Sequence, residues 1–291
     1  MDERRLRVIG MSNAIKTKSK KTNPDELPRT AAPPDSGSHS MTYAVGNLQG
    51  IGKREQQEDS FGFGNALDPD AIDRHGLMLV MADGMGGIQN GKQASEAAVD
   101  AVLKAFSKFN VSDNIPGQLE SAVLNAGKQV WEQLHGNGGT TIVAGLIYKE
   151  KAYCISVGDS YIGLLHDGEL VRLNHSHNVL NRDCIEALQE GIMDYATALR
   201  NPERDAITHF LGMQNLCETE VFLRPLHLYA GDVLILCSDG ISGVLTASQM
   251  KEALSEQTPE KMCQALEKSI RREDRRYQDN YTALIVQCRR V

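Results

Sequence analysis

Leu77-Met-Leu-Val-Met-Ala82, then Asp83-Gly-Met-Gly-Gly87, then Ile88-Gln-Asn-Gly91, is the stretch from which the rest of the chain is best read. Six consecutive apolar residues suit a strand buried on both faces. The run stops at Asp83, a carboxylate that a buried position tolerates only when it is paired or bound to metal. Gly84, Gly86 and Gly87 let the backbone approach a ligand, or take positive φ, where a side chain would clash. Ala94, Ala97, Ala98, Ala101, Val102 and Ala105 then recur at helical spacing. The unit is strand, acidic glycine turn, small-residue helix. On these residues alone it is either a ligand site or an ordinary strand-to-helix turn with Asp83 as a cap.

Working outward, 291 residues of which 41% are hydrophobic make one large domain or two small ones. The six cysteines, Cys154, Cys184, Cys217, Cys237, Cys263 and Cys288, contain no Cys-x-x-Cys pair, which argues against zinc knuckles and redox motifs and fits a reducing cytosol. We find no apolar run long enough to span a membrane and no secretion signal, so the sequence points to a cytoplasmic protein. A net charge of -7 argues against general nucleic-acid binding.

Residues 1–40 differ from the remainder. Arg4, Arg5, Arg7, Lys16, Lys18, Lys20 and Lys21 precede a loop-prone stretch around Pro33, Pro34 and Gly37, and together they read as a flexible basic extension. Met41 is a candidate true start, and the organised domain spans 41–291. Arg54, Glu58 and Asp59 lie between two short apolar segments, which on its own is a charged hairpin turn. Gln118–Leu134 is a helix candidate, with Trp131 as packing. After Gly139-Thr-Thr141 the period turns strand-like: 142–148, 152–157 and 161–166 are strands, and Asp167-Gly168 is a type I′ hairpin signal leading into 169–173. The middle third therefore reads as an antiparallel meander. His175 to about Thr208 reads as an insertion over the sheet edge, with His175 and His177 solvated rather than metal-bound. Val233–Cys237 is a buried strand ending at Ser238-Asp239-Gly240. Thr246 with Gln249 forms a capping box, and Thr258-Pro259 starts a helix. Asp279-Asn280 precedes the last strand.

Asp83 and Asp239 each end a buried strand, and Asp279 begins one. If the last strand runs antiparallel to the other two, the three carboxylates converge at one sheet edge. Crowded carboxylates repel, so a positive group must sit among them, and oxygen ligands with water favour magnesium or manganese over zinc.

Six short motifs in order, Arg54-x-x-x-Glu58-Asp59-Ser60, Asp83-Gly-Met-Gly-Gly87, Gly139-Thr-Thr141, Val157-Gly-Asp-Ser160, Cys237-Ser-Asp-Gly-Ile241 and Asp279-Asn-x-Thr282, resemble the metal-dependent serine/threonine protein phosphatases of type 2C, the PPM family, in its bacterial form. The resemblance runs from about Tyr43 to the C-terminus. It implies an α+β fold: a four-layer α-β-β-α sandwich of two antiparallel sheets flanked by helices. It also implies two divalent ions, manganese or magnesium, at one end. By position, Asp83 bridges both ions and the Gly84 carbonyl binds one. Asp239 and Asp279 complete the other, Glu58 and Asp59 hold bound waters, and Arg54 grips the substrate phosphate. A water whose pKa the ions lower attacks phosphorus in line.

The substrates implied are phosphoserine and phosphothreonine on proteins, opposed by a serine/threonine kinase that is itself a candidate substrate, and a monomer is expected. Met85 stands where animal members carry a histidine, Tyr161 replaces the arginine of Gly-Asp-Ser-Arg, and Ser176-His177-Asn178 replaces the usual Asp-His-Ser/Thr. The approach to the Gly-Thr-Thr motif, Trp131 to Gly138, contains no aspartate; a third ion's usual ligand position falls near Leu134, with Glu132 turned away. Two other classes compete with this reading. A non-catalytic binding module with this fold should have lost the aspartates. A nucleotide binder should show a phosphate-binding glycine loop, and none is present.

Overall fold

Leu77–Ala82 is apolar throughout because both its faces are covered. In the computed structural model, which describes residues 41–85, 90–192, 194–216 and 218–290, Leu77, Leu79 and Met81 point into the space between two sheets, and Met78, Val80 and Ala82 point out under helices. Alternation along a strand sends successive side chains to opposite faces, so a strand in a middle layer has no solvent face for polar residues. The basic extension, Gly86, Gly87 and Cys217 lie outside the described residues.

In chain order the elements begin with β1 (Met41–Gly50), β2 (Ser60–Gly64), α1 (Pro69–His75), β3 (Leu77–Ala82), α2 (Gly91–Phe106) and α3 (Ile115–Leu134). There follow β4 (Ile142–Tyr148), β5 (Lys151–Val157), β6 (Tyr161–His166), β7 (Glu169–Arg172), α4 (Val179–Glu190) and α5 (Tyr195–Leu199). The last third holds β8 (Glu220–Val221), β9 (Leu226–His227), β10 (Val233–Cys237), α6 (Asp239–Ser242), α7 (Ala247–Leu254), α8 (Pro259–Glu273) and β11 (Tyr281–Arg290). One sheet has the order β1-β11-β10-β6-β7 and the other β2-β3-β4-β5-β8, with β9 also on β5. All the pairings are antiparallel. The helices α2 and α3 cover the second sheet with Ala94, Ala98, Val102, Leu119 and Val123. The helices α7 and α8 cover the first with Met250, Leu254, Met262, Leu266 and Ile270. The α-β-β-α sandwich expected from the motifs is the one observed.

The local signals explain the helix starts. Thr246 and Gln249 form a reciprocal capping box, and Thr258 Oγ1 accepts from Lys261 N at 3.3 Å with Pro259 in the first turn. Asp167 and Gly168 have φ of 47° and 75°, as a type I′ turn requires. The meander, however, is broken. Strands β4 and β5 form a hairpin in one sheet, β6 and β7 a hairpin in the other, and Gly158-Asp-Ser160 carries the chain between sheets. Gly158 has φ of 101°, a conformation that suits glycine and allows the abrupt turn. Helix α1 was not anticipated. It buries no residue and is held at its start by Asp68 Oδ1, which accepts from Ala71 N, so no apolar periodicity announces it.

Candidate active site

The register places every motif at one end of the sandwich. Cys237 of β10 pairs with Ala283 of β11 and Tyr161 of β6, so Asp239, Asp279 and Asp159 sit at adjacent strand ends. In the other sheet Ala82 pairs with Ser60 and Ile142 with Val157, which brings Asp83, Asp59, Thr141 and Gly158 together. Asp83 therefore comes from a different sheet than Asp239 and Asp279. The carboxylates converge across the sandwich end rather than along one sheet edge, because β3 and β11 face each other across the inner core.

Hydrogen bonds tie the two sheets at this end. Ser238 Oγ donates to Asp59 Oδ2 at 3.0 Å, and Gln49 Nε2 donates to the Asp59 carbonyl at 3.1 Å. Thr141 Oγ1 lies 2.8 Å from Ser160 Oγ and accepts from Asp83 N at 3.1 Å. Thr141 N donates to the Asp83 carbonyl at 2.9 Å. Asn280 secures the loop after β1: its Oδ1 accepts from Glu58 N at 2.8 Å, and its Nδ2 donates to the carbonyls of Ile51 and Gln56 at 2.9 and 3.0 Å. Gly84 is packed so closely that an added Cβ would stand 2.5 Å from the Gly91 carbonyl oxygen and 2.6 Å from that of Glu58. No other residue fits there without moving backbone.

The electrostatics are those of an uncompensated acidic site. Burial, and then the charges of Asp59, Asp239, Asp159 and Asp279, push the Asp83 carboxyl well above the usual range. Burial raises Asp59 to about 6, against the hydrogen bonds it accepts. Asp239 is raised by partial desolvation and by Asp279, and Glu58 by burial. Arg54 Nη2 is 2.5 Å from Asp279 Oδ2, a bond that holds the guanidinium firmly protonated. Asp59 Oδ1 is buried with no hydrogen-bond partner among the described residues. Such a set fits a divalent cation: an orphaned acceptor, mutually repelling carboxylates and backbone oxygens. Among the described residues no group of three or more His, Cys, Asp or Glu side chains is placed to hold a metal ion by itself. An ion here would complete its shell with water and carbonyl oxygen, which is the habit of hard ions and not of zinc.

The structure brings together Arg54, Glu58, Asp59, Asp83, Gly84, Asp239 and Asp279. It also adds Asp159, which burial and then Asp239 raise to about 6. The motif around Asp159 was visible in the sequence, but the residue read as part of a strand break. His177 departs from expectation: it is buried, not solvated. Its N donates to the Gly158 carbonyl at 2.8 Å, and its Nδ1 accepts from Gly158 N at 3.2 Å. Burial lowers its pKa, so the neutral ring is the one that fits. His175 is exposed, as expected, and pairs with Glu220 at 2.9 Å.

The family model described as protein phosphatase 2C matches residues 66–279. With this fold and these motif residues at one sandwich end, the chain belongs to the protein phosphatase 2C family, and its class is hydrolase. Among similar proteins is the serine/threonine phosphatase stp of Listeria welshimeri, 28% identical over 209 residues, covering 69% of this chain and 78% of that protein. The crystal structure of the Mycobacterium tuberculosis serine/threonine phosphatase PstP/Ppp superposes with a TM-score of 0.67 at 25% identity, over 85% of this chain and 98% of that one. A structure of the PstP catalytic domain in complex with two manganese ions has a TM-score of 0.65 at 24% identity, over 86% of this chain and 98% of that one. No helix of the described residues is long and apolar enough to cross a membrane.

Proposed function

We propose that this phosphatase removes phosphate from phosphoserine and phosphothreonine on proteins, using two divalent ions, manganese or magnesium. Its residues are assigned as follows. Asp83, the Gly84 carbonyl, Asp239 and Asp279 would hold the ions, and Glu58 and Asp59 would hold water beside them. Bound there, the ions supply positive charge for the phosphoryl oxygens and a water acidic enough to act as nucleophile near neutral pH. Arg54 presents a planar fork to two phosphate oxygens. The Thr141–Ser160 contact and Asn280 keep the carboxylates and the Arg54 loop in register.

The carrying observation is the desolvated Asp83 among Asp59, Asp159, Asp239 and Asp279. A fold kept only as a binding module has no reason to maintain that repulsion, which disfavours the non-catalytic alternative. A cytoplasmic monomer opposing a serine/threonine kinase is the setting that fits best. The test is turnover of an aryl phosphate and a phosphothreonine peptide with and without manganese, with Asp239→Asn as control. Metal-independent turnover, or full activity in Asp239→Asn, would refute the assignment.

A further inference from the structure

The residues just before Arg54 and Asp279 line a cavity. Of about 490 Å³, it is lined by Lys53, Arg271, Asp274, Arg275, Gln278 and Tyr281, among others. Lys53 and Gln278 each precede a site residue: Arg54 and Asp279 bond to each other, while Lys53 N donates to the Gln278 carbonyl at 2.9 Å. The cavity thus adjoins the Arg54–Asp279 pair through Lys53 and Gln278.

Its lining holds three cations, Lys53, Arg271 and Arg275, against two carboxylates, Glu267 and Asp274, in a chain whose net charge is -7. Arg276 lies over the ring of the exposed Tyr277 at 5.0 Å from its centre. Two cations in the wall have acidic partners: Lys53 with Asp274 at 3.0 Å and Arg271 with Glu267 at 2.7 Å. Exposed pairs of this kind contribute little to stability. They hold the cations in place and yield to an incoming carboxylate. Arg275 donates to the Val244 carbonyl at 3.3 Å and has no acidic partner among the described residues.

We propose that the cavity is a specificity site for acidic side chains flanking the phosphorylated residue of a protein substrate. Lys53, Arg271 and Arg275 receive the carboxylates. The inference rests on the chain acting on phosphoproteins.

The test compares three phosphothreonine peptides that differ only in having Asp/Glu, Ala/Ser or Lys/Arg on both flanks, with manganese present. The expected order of kcat/KM is acidic, neutral, basic, with acidic over neutral roughly tenfold at low salt and shrinking at ~0.5 M salt. Arg271→Ala/Arg275→Ala should bring that ratio close to one, and Arg271→Lys/Arg275→Lys should restore most of it. Lys53→Gln, which leaves α8 untouched, should lower the ratio by itself. Equal turnover of all three peptides, or preference for the basic one, would overturn the specificity site and leave the phosphatase reading intact. Turnover of an aryl phosphate with none of any peptide would overturn both.

Discussion

Each acidic residue at the sandwich end is unfavourable alone and makes sense only as a member of the set, which gives residue-level predictions clear outcomes. If Asp83 holds the ions as proposed, Asp83→Asn removes a carboxylate charge and one oxygen ligand, so kcat/KM should fall at least ~100-fold, the upper end for disturbing a metal's surroundings. Retained turnover at saturating manganese, measured on an aryl phosphate, would count against that role. Arg54 is bound to Asp279, so it competes for an oxygen that an ion needs. Arg54→Ala should therefore leave manganese affinity unchanged or tighter by calorimetry. Meanwhile kcat/KM should drop by the ~1.5–3 kcal/mol of a charged hydrogen bond, about 10- to 150-fold. Lost metal binding would make Arg54 structural. Asp83, Asp239 and Asp279 were legible in the sequence because each interrupts or adjoins an apolar run. Asp159 and His177 were not: a break between strands looks the same whether or not the chain changes sheets there. A histidine in a polar segment gives no sign that Gly158, on the far side of a hairpin, will bond both its backbone and its ring.

At the scale of elements, strands and capped amphipathic helices were legible because periodicity and caps are local. The crossover at Gly158 was hidden because hairpin chemistry reports pairing within β4–β5 and β6–β7 but says nothing of which sheet each hairpin joins. Helix α3 carries a prediction of its own. Leu134 packs against Gly138, where an added Cβ would lie 2.3 Å from its Cδ1, and it contributes to the outer core. Glu132 points the other way, 3.7 Å from Lys128 at the surface. The position to which the resemblance points for a third ion's carboxylate holds a packed leucine, and Glu132 is turned from it because one residue along a helix turns a side chain by about 100°. Activity should saturate in a single phase with manganese, and Glu132→Gln should leave that titration unchanged. A weak second phase that vanishes in Glu132→Gln would show a third site rebuilt from a shifted ligand.

For the molecule as a whole, the β1–β11 ladder among the described residues runs from the Met41–Arg290 pair to the Gly50–Tyr281 pair. A chain starting at Met41 should fold and turn over an aryl phosphate like the full protein; a large loss of rate would show that residues 1–40 pack on the domain. The acidic end also couples global stability to pH and metal. Asp59 and Asp159 have folded-state values of about 6, above the ordinary value near 4 in an unfolded chain. Between about pH 4 and 6 the folded state binds more protons than the unfolded, so stability falls as pH rises through that window, and the full penalty stands above it. His177, lowered by burial, acts in the opposite sense, costing stability as pH falls through its unfolded value near 6.5. It lies outside the assigned ion ligands, so it largely cancels when the same pH is compared with and without metal. Melting in EDTA and in manganese should then give a larger rise in Tm at pH 7 than at pH 5, because ions relieve a repulsion that protons already relieve at pH 5. Asp59→Asn, which can still accept from Ser238, should melt higher than the parent in EDTA at pH 7 and lose most of that advantage at pH 5. An equal manganese shift at both pH values, or an Asp59→Asn protein less stable than the parent at pH 7, would mean that the carboxylates are already compensated within the fold and do not await a cation.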